Sequence, residues 1–428
     1  MTRHTKPIAL AILLLTGIAG PAAADEATEA FLKEWVASID ASPDWTAKFE
    51  TLASNGTATT MTGLEVASER PGFTLTLANL AVSGFTPTSD GTFVAGNVRL
   101  DGGRIETGEF MTLSVASADF TDVVFPSAGG FVWDESKPYT SLIKAFSPIR
   151  DVKMRSGRIG SVQIVEKTDN VGSNITYEQI NIDNWANGLI EAVSAGPIHT
   201  ESPAKEPLSA ITIASAQTRD INLNAFFEVF DPDSYGVSGG DMKWRKLIGK
   251  ATYRDLISAV PGVSFTMSEA VLENVNLRQP RGGIGFLEQL GPKSEQEFEK
   301  DPRKAMELMQ ILTAYGFGKF EMRGLEMQVP GVERLRLAGF SINDFSSDLL
   351  GSLALDRLEV AVKDQANVAV RRFAFGGLVP PALDDFIAAV EAQASGDDVD
   401  FSSVIPQLGF VDAAGIDVRV ADMPRTTL

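Results

Sequence analysis

Alternation of apolar and polar positions dominates the chain. Phe73-Thr74-Leu75-Thr76-Leu77, Leu358-Glu359-Val360-Ala361-Val362 and Ile416-Asp417-Val418-Arg419-Val420 each step at period two. That period puts one row of side chains into a core and the next into water. Gly, Asn, Asp and Pro separate the runs at short intervals, as in antiparallel meanders. Helical spacing is rarer and predicts helices over 26–39, 139–146, 224–230, 294–315 and 380–394. In the first, Phe31, Leu32, Trp35 and Ile39 share a stripe. The last opens on Pro380-Pro381, a helix-start signal. Each is expected to lay an apolar face on a core.

A loose repeat links these segments. Four times a short apolar, helix-like stretch meets a Pro or Gly break and runs into two alternating strand segments. The stretches are 141–148, 255–262, 310–316 and 403–409. They lead into 152–154 with 162–164, 265–267 with 275–277, 320–322 with 325–327, and 410–411 with 418–420. Stacked units of this kind bury a continuous core, each helix covering a sheet and each strand pair forming a new hairpin. The expected fold is therefore α+β and strand-dominated, with elongated or curved antiparallel sheets built from repeated hairpins and several interspersed amphipathic helices. Two strand-rich regions are expected, 25–194 and 208–428, joined by a Pro-rich linker at 195–207. A second turn-rich linker candidate lies at 232–241.

The N-terminus changes the setting. Arg3 and Lys6 precede an apolar stretch from Ile8 to Ile18, then Gly20-Pro21 and Ala22-Ala23-Ala24. Residues 1–24 thus read as a cleavable secretory signal; the apolar run is short for a retained anchor. The expected location is the periplasm, with no transmembrane segment after cleavage. Without Arg3 and Lys6, the 37 Lys+Arg fall to 35 against 56 Asp+Glu, a formal charge of −21. Such a surface repels nucleic acid and anionic headgroups. The chain has no Cys, which excludes lipoprotein attachment, disulfides, thiolate metal sites and Cys nucleophiles. Over 400 residues give ample core to hold it without them.

Candidate chemistry is sparse. His199 is the one His beyond the signal; it has no Gly-x-Ser-x-Gly elbow nearby and reads as an exposed loop residue. Asp231-Pro232-Asp233-Ser234-Tyr235-Gly236 begins like a calcium loop but places Met242 where a bidentate Glu belongs. Gly239-Gly240 and Gly282-Gly283-Ile284-Gly285 lack the partners of a phosphate loop and read as corners. Met306, Met309, Met322 and Met327 form a cluster suited to core packing, or to an irregular apolar ligand. No catalytic, cofactor or metal residue is assigned.

Recurrent short strand segments such as Gly324-Leu325-Glu326-Met327, interspersed helices and an export signal resemble the AsmA-like group of Gram-negative envelope proteins. The resemblance spans 60–190 and 260–425. It implies curved sheets with an apolar groove and a part in lipid movement or outer-membrane upkeep. This chain departs from the group in being short and in carrying a cleavable signal where the group keeps an anchor. The leading expectation is a non-catalytic periplasmic binding or scaffold protein presenting an apolar face to a lipid-like ligand or an envelope protein. The alternatives are a structural exported protein with a filled core, and a carboxylate-dependent hydrolase.

Overall fold

A computed structural model describes residues 25–41, 45–68, 73–87, 93–107, 111–125, 134, 136–166, 173–202, 209–236, 239–260, 262–280, 283–289, 310–381, 385, 388–389, 392, 404–421 and 426–427. The expected signal lies outside them, as do most of the helices expected at 294–315 and 380–394. The described chain is strand-dominated, its sheets antiparallel and its helices few, as the alternation predicts. It forms two compact units. The first holds the residues up to Ala210, Ser215–Ser234 and Gly285–Lys293; the second holds Ile211–Ala214, Tyr235–Ile284 and the rest from Ser294. One change of unit, between Ser234 and Tyr235, falls in the turn-rich stretch at 232–241. Residues 195–207 are not a plain linker, because Ile198–Ser202 is a paired strand.

In the first unit, β1 (Trp45–Lys48) and β2 (Thr51–Ser54) pair with β3 (Ala58–Ser68), which pairs with β4 (Phe73–Ser83). β6 (Phe93–Thr107) follows on β4, carries the short β5 (Thr86–Pro87), and pairs with β7 (Met111–Phe125). Beyond β7 each strand comes as two halves in line. β8 (Met154–Ile159) and β9 (Val162–Glu166) lie on β7; β10 (Asn174–Tyr177) and β11 (Ile180–Ala186) lie on β9 and β8. β12 (Leu189–Ala195) and β13 (Ile198–Ser202) follow on β11 and β10, and β14 (Ser209–Asn222), whose Ile211–Ala214 belong to the second unit, pairs with β12 over Ala216–Asn222.

Helix α1 (Asp25–Asp40) supplies the cover for this sheet. Its Leu32 and Val36 sink among Met61, Leu64, Val66, Phe73, Leu75 and Leu77. Phe31 meets Phe85 with ring centroids 6.1 Å apart, and Trp45 meets Phe73 at 5.8 Å. The expected helices at 139–146 and 224–230 are α2 (Pro138–Phe146) and α3 (Leu223–Phe230). Asn222 caps α3, its side chain accepting from the Asn224 N–H at 3.1 Å. α2 lacks a local side-chain cap. The Glu288 carboxylate accepts from the Tyr139 and Thr140 backbone N–H groups at 2.9 and 3.0 Å instead, and from the Thr140 hydroxyl. A carboxylate at a helix N-terminus meets orphan donors and the positive end of the dipole together.

The second unit is a meander of long strands: β15 (Arg245–Val260), β16 (Val263–Leu277), β17 (Tyr315–Val329), β18 (Val332–Ser346), β19 (Leu350–Val362), β20 (Ala366–Leu378), β21 (Phe410–Val420) and the short β22 (Thr426–Thr427). Each pairs with the next, antiparallel.

These strands bend at fixed places. In β17 the ladder pairs Arg323 with Gly339 and Leu325 with Leu337, skipping Gly324 and Ala338. Gly324 sits at φ 64°, and a Cβ there would run into the Ser268 side chain. Left-handed residues continue on alternate strands at Asp255, Arg357 and Gly415, facing Ser268, Ala338 and Arg371. A second line lies six residues away, with Asn274, Asp344 and Gly377 left-handed and Gly318, Gly351 and Gly409 facing them. The first unit repeats the device at Gly63 and Gly102, and again at Asp122, Asn184 and Asp220. A left-handed residue in a strand makes a bulge that bends the strand and adds twist; Gly, Asn and Asp tolerate that conformation best.

The bends correct the expected repeat. Segments 265–267 and 275–277 both belong to β16, 320–322 and 325–327 both to β17, and 410–411 and 418–420 both to β21. What reads as a hairpin is one strand crossing a corner. Of the helix-like members, 255–260 is strand, within β15, and 310–312 is a single helical turn. Only 141–148 is helical along its length, in α2 and the 3-10 turn Ser147–Arg150, and residue 403 lies outside the described residues.

Candidate functional site: the apolar face of the second unit

The corners keep one face of the second sheet apolar along β16 to β21. A plain strand alternates at every second residue. Here the apolar set steps by two, then by three across each corner, as in Phe317, Phe320, Met322, Leu325 and Met327 of β17. The register aligns these sets from strand to strand. Leu272, Phe320, Ile342, Leu353, Phe375 and Val411 are successive partners. So are Ala270, Met322, Phe340, Leu355, Phe373 and Ala413. Beyond one corner line runs Leu325, Leu337, Leu358, Val370 and Ile416, with Phe265, Met327, Leu335, Val360, Val368 and Val418 behind it. Beyond the other runs Val275, Phe317, Phe345, Leu350 and Leu378. No polar side chain interrupts these five rows.

Among the described residues no element closes over this face. Of the five rows, only Ala270 and Leu337 are buried; most of the rest are half-buried, and Phe345 and Val411 are 42 % and 58 % exposed. The large cluster of buried hydrophobic residues lies in the first unit, while the second buries a smaller set that includes Leu277 and Ile284. Phe317 stacks on Phe345 at 5.0 Å and Phe320 meets Phe340 edge-on at 6.1 Å, so the rings pave the face. A shallow depression of about 530 Å³ at the ends of the β15–β16 and β17–β18 hairpins has a mixed lining, with Val260, Val263, Val329 and Val332 beside Ser264, Gln328 and Glu333.

The opposite face is ionic. Glu269 bridges Arg254 and Arg323, each at 3.2 Å; Arg323 bonds Glu321 at 2.7 Å, and Lys319 reaches the same carboxylate at 2.6 Å. Hydrogen bonds from Arg323 and Lys319 hold the Glu321 carboxyl below the usual glutamate range. Lys250 does the same to Glu273 from 2.8 Å. At the ends of the strands the buried Arg278 lies over the Trp244 ring at 4.5 Å, donates to Thr313 O and Ser347 Oγ, and pairs with both Asp348 oxygens at 2.5 and 2.9 Å. The sheet thus separates a wet charged side from an apolar side that offers only area and dispersion contact.

The polar candidates do not converge. His199 is in β13, not a loop; its Nε2 is 3.3 Å from Glu178 Oε1 in an exposed pair. Asp231 accepts from the Asp233 N–H inside a tight turn, and Asp233 pairs with Lys144 at 2.5 Å. Among the described residues no three His, Asp or Glu come together as metal ligands. Gly240 is a packing glycine rather than a flexible corner, since a Cβ there would strike Pro280 O. Gly283 is a left-handed turn residue, and Gly282 lies outside the described residues. Met322 and Met327 lie on the apolar face, while Met306 and Met309 lie outside the described residues. Sequence reasoning missed the corner residues. Their signal was there: a three-residue gap between apolar positions, holding Gly, Asn or Asp in Asn274, Gly324, Asp344 and Gly415. Among the described residues no helix is long and apolar enough to cross a membrane. Compared with known proteins, the chain matches no family model, and no curated protein matches it.

Proposed function

We propose that the protein is an exported, non-catalytic binding protein of the bacterial envelope whose second unit holds the hydrocarbon part of a lipid-like molecule. The observation that carries this reading is the set of five cross-strand rows without a polar side chain, left half-buried. Apolar area of that extent is normally covered in a monomer or serves to bind. An occupant of the rows meets no hydrogen-bonding side chain, which favours hydrocarbon over a peptide, whose backbone groups need partners. Adjacent strands lie about 4.8 Å apart, so the rows from β16 to β21 run roughly 24 Å, close to an extended long acyl chain. The export signal and the AsmA-like pattern agree with this reading.

Native mass spectrometry of the gently purified protein, with solvent extraction of the same sample, tests it. The expected result is a co-purifying lipid that Phe340→Asp removes while the circular dichroism spectrum stays that of the wild type. A ligand-free spectrum, together with no uptake of a fluorescent fatty-acyl probe, overturns it.

A further inference from the structure

The last long strand of the second unit ends the meander with an edge that is unpaired over most of its length among the described residues. Among the described residues β21 pairs along its length with β20, and on its other side only Thr426 and Thr427 meet it, opposite Val418 and Asp417. The rest of that edge is largely apolar and exposed, with Leu408 51 %, Phe410 47 % and Val411 58 % exposed and Asp412 the charged residue among them. Long, apolar, unpaired edges are templates for strand addition, which proteins commonly block or use.

The corner lines say which strand fits. Along each line a left-handed residue faces a residue that is not left-handed, in strict alternation. In β21, Gly415 is left-handed, and Gly409, six residues earlier, is not. An added strand must therefore set a right-handed corner against Gly415 and a left-handed one against Gly409, with six residues between them. A second β21 running antiparallel does this. With Gly415 of one copy opposite Gly409 of the other, both lines continue at once. The same register sets Leu408 against Ile416 and Val411 against Ala413, so apolar meets apolar across the seam. Registers placing Gly415 opposite Gly415, or Gly409 opposite Gly409, break the alternation on that line and leave the other line without a matching corner.

We propose that β21 is a self-association edge, and that two copies of this chain join by two-fold antiparallel pairing of residues 408–416, centred on Asp412. Such a contact is isologous and closes as a dimer. Asp412 faces its own copy, which weakens the pairing, and Arg372, 3.5 Å from Asp412 within each copy, offsets it. The proposal needs no ligand and stands apart from the lipid reading.

The absence of cysteine makes a clean test. Directly opposed antiparallel residues have Cα atoms about 4.5–5.5 Å apart, within disulfide range. Asp412→Cys therefore cross-links to its own copy under mild oxidation. Ala414→Cys, whose two copies sit four residues apart along the seam, or about 13 Å, gives about tenfold less dimer. Sedimentation of the unmodified protein at high micromolar concentration shows the dimer, and Val411→Lys shows a monomer with the wild-type circular dichroism spectrum. A monomer at that concentration in the unmodified protein overturns the proposal, as does equal cross-linking at 412 and 414.

Discussion

The two units use one strand design and end in different states. Both are antiparallel meanders bent by left-handed residues on alternate strands. In the first, α1 presses Leu32 and Val36 into the concentrated apolar set, and Leu75, Leu77 and Phe73 disappear from solvent. In the second, rows as apolar as these remain half-open. A sheet face becomes a core only when another element covers it; the strand pattern alone does not decide between core and binding surface. In the second unit the ladder, the ionic pairs on the wet face and the Arg278 clamp at the strand ends add to a smaller buried set that includes Leu277 and Ile284.

The sharpest way to break the comparison is a matched pair of truncations. Phe73→Ala in the filled unit costs about 3–5 kcal/mol, whereas Phe340→Ala on the open face costs under about 2 kcal/mol, because water already reaches the second site. Urea unfolding measures both, with Trp244, the one tryptophan of the second unit, reporting on that unit. Equal costs mean that the face is as closed as the core. Arg278→Ala comes next, at about 1–2 kcal/mol, since it removes a buried side chain that ties Thr313 O, Ser347 and Asp348 together and packs on Trp244; its loss appears in the Trp244 signal, and an unchanged midpoint there refutes the clamp.

Gly324→Ala is expected to cost about 1–2 kcal/mol, because an alanine at φ 64° is strained and its methyl meets Ser268. The same change at Gly331, a turn where a Cβ meets nothing within 4 Å, costs only the strain of its φ of 80°. The difference between the two in thermal unfolding isolates the corner contact. Acid has a smaller effect. Glu321 and Glu273 have carboxyls held below their ordinary value of 4.5 by Arg323, Lys319 and Lys250. Their folded-state affinity for protons is lower than in the unfolded chain, so their stabilisation is present at neutral pH and is lost as pH falls through and below 4.5. Partial exposure limits it to about 1 kcal/mol, read as a shift of the Trp244 transition between pH 6 and pH 3. Arg357→Asn is expected to stabilise by about 0.5 kcal/mol, because Arg357 is the bulkiest left-handed corner residue of the second unit (φ 50°).

Much of this architecture was legible in the sequence. Period-two runs found β4, β19 and β21, and helical stripes found α1, α2 and α3. The corners were not legible, because a strand that steps by three breaks the alternation used to recognise it. Phe320-Glu321-Met322 and Leu325-Glu326-Met327 therefore read as two strands. For the same reason Asp255 to Val260 read as helical: its apolar positions include the outward Ile257, and Asp255 sits at a corner. The openness of the face was out of reach, because half-buried and buried leucines look alike in one dimension. His199 was misplaced by its Pro- and Ser-rich neighbours, of which Gly196 and Pro197 fill the short break between β12 and β13.

The Glu288 cap on α2 ties Thr140 to a carboxylate 148 residues downstream. A chain emerging amino end first makes the α2 sequence long before the residue that satisfies its first turn. The loop closed by that bond encloses β8 to β16, and such closures slow folding through chain entropy. The first unit therefore acquires its final segment only after β15 and β16 of the second have been synthesised. Its maturation is non-sequential, and a fragment ending at residue 234 is expected to leave the Tyr139 and Thr140 amides to solvent, with faster hydrogen exchange in that turn.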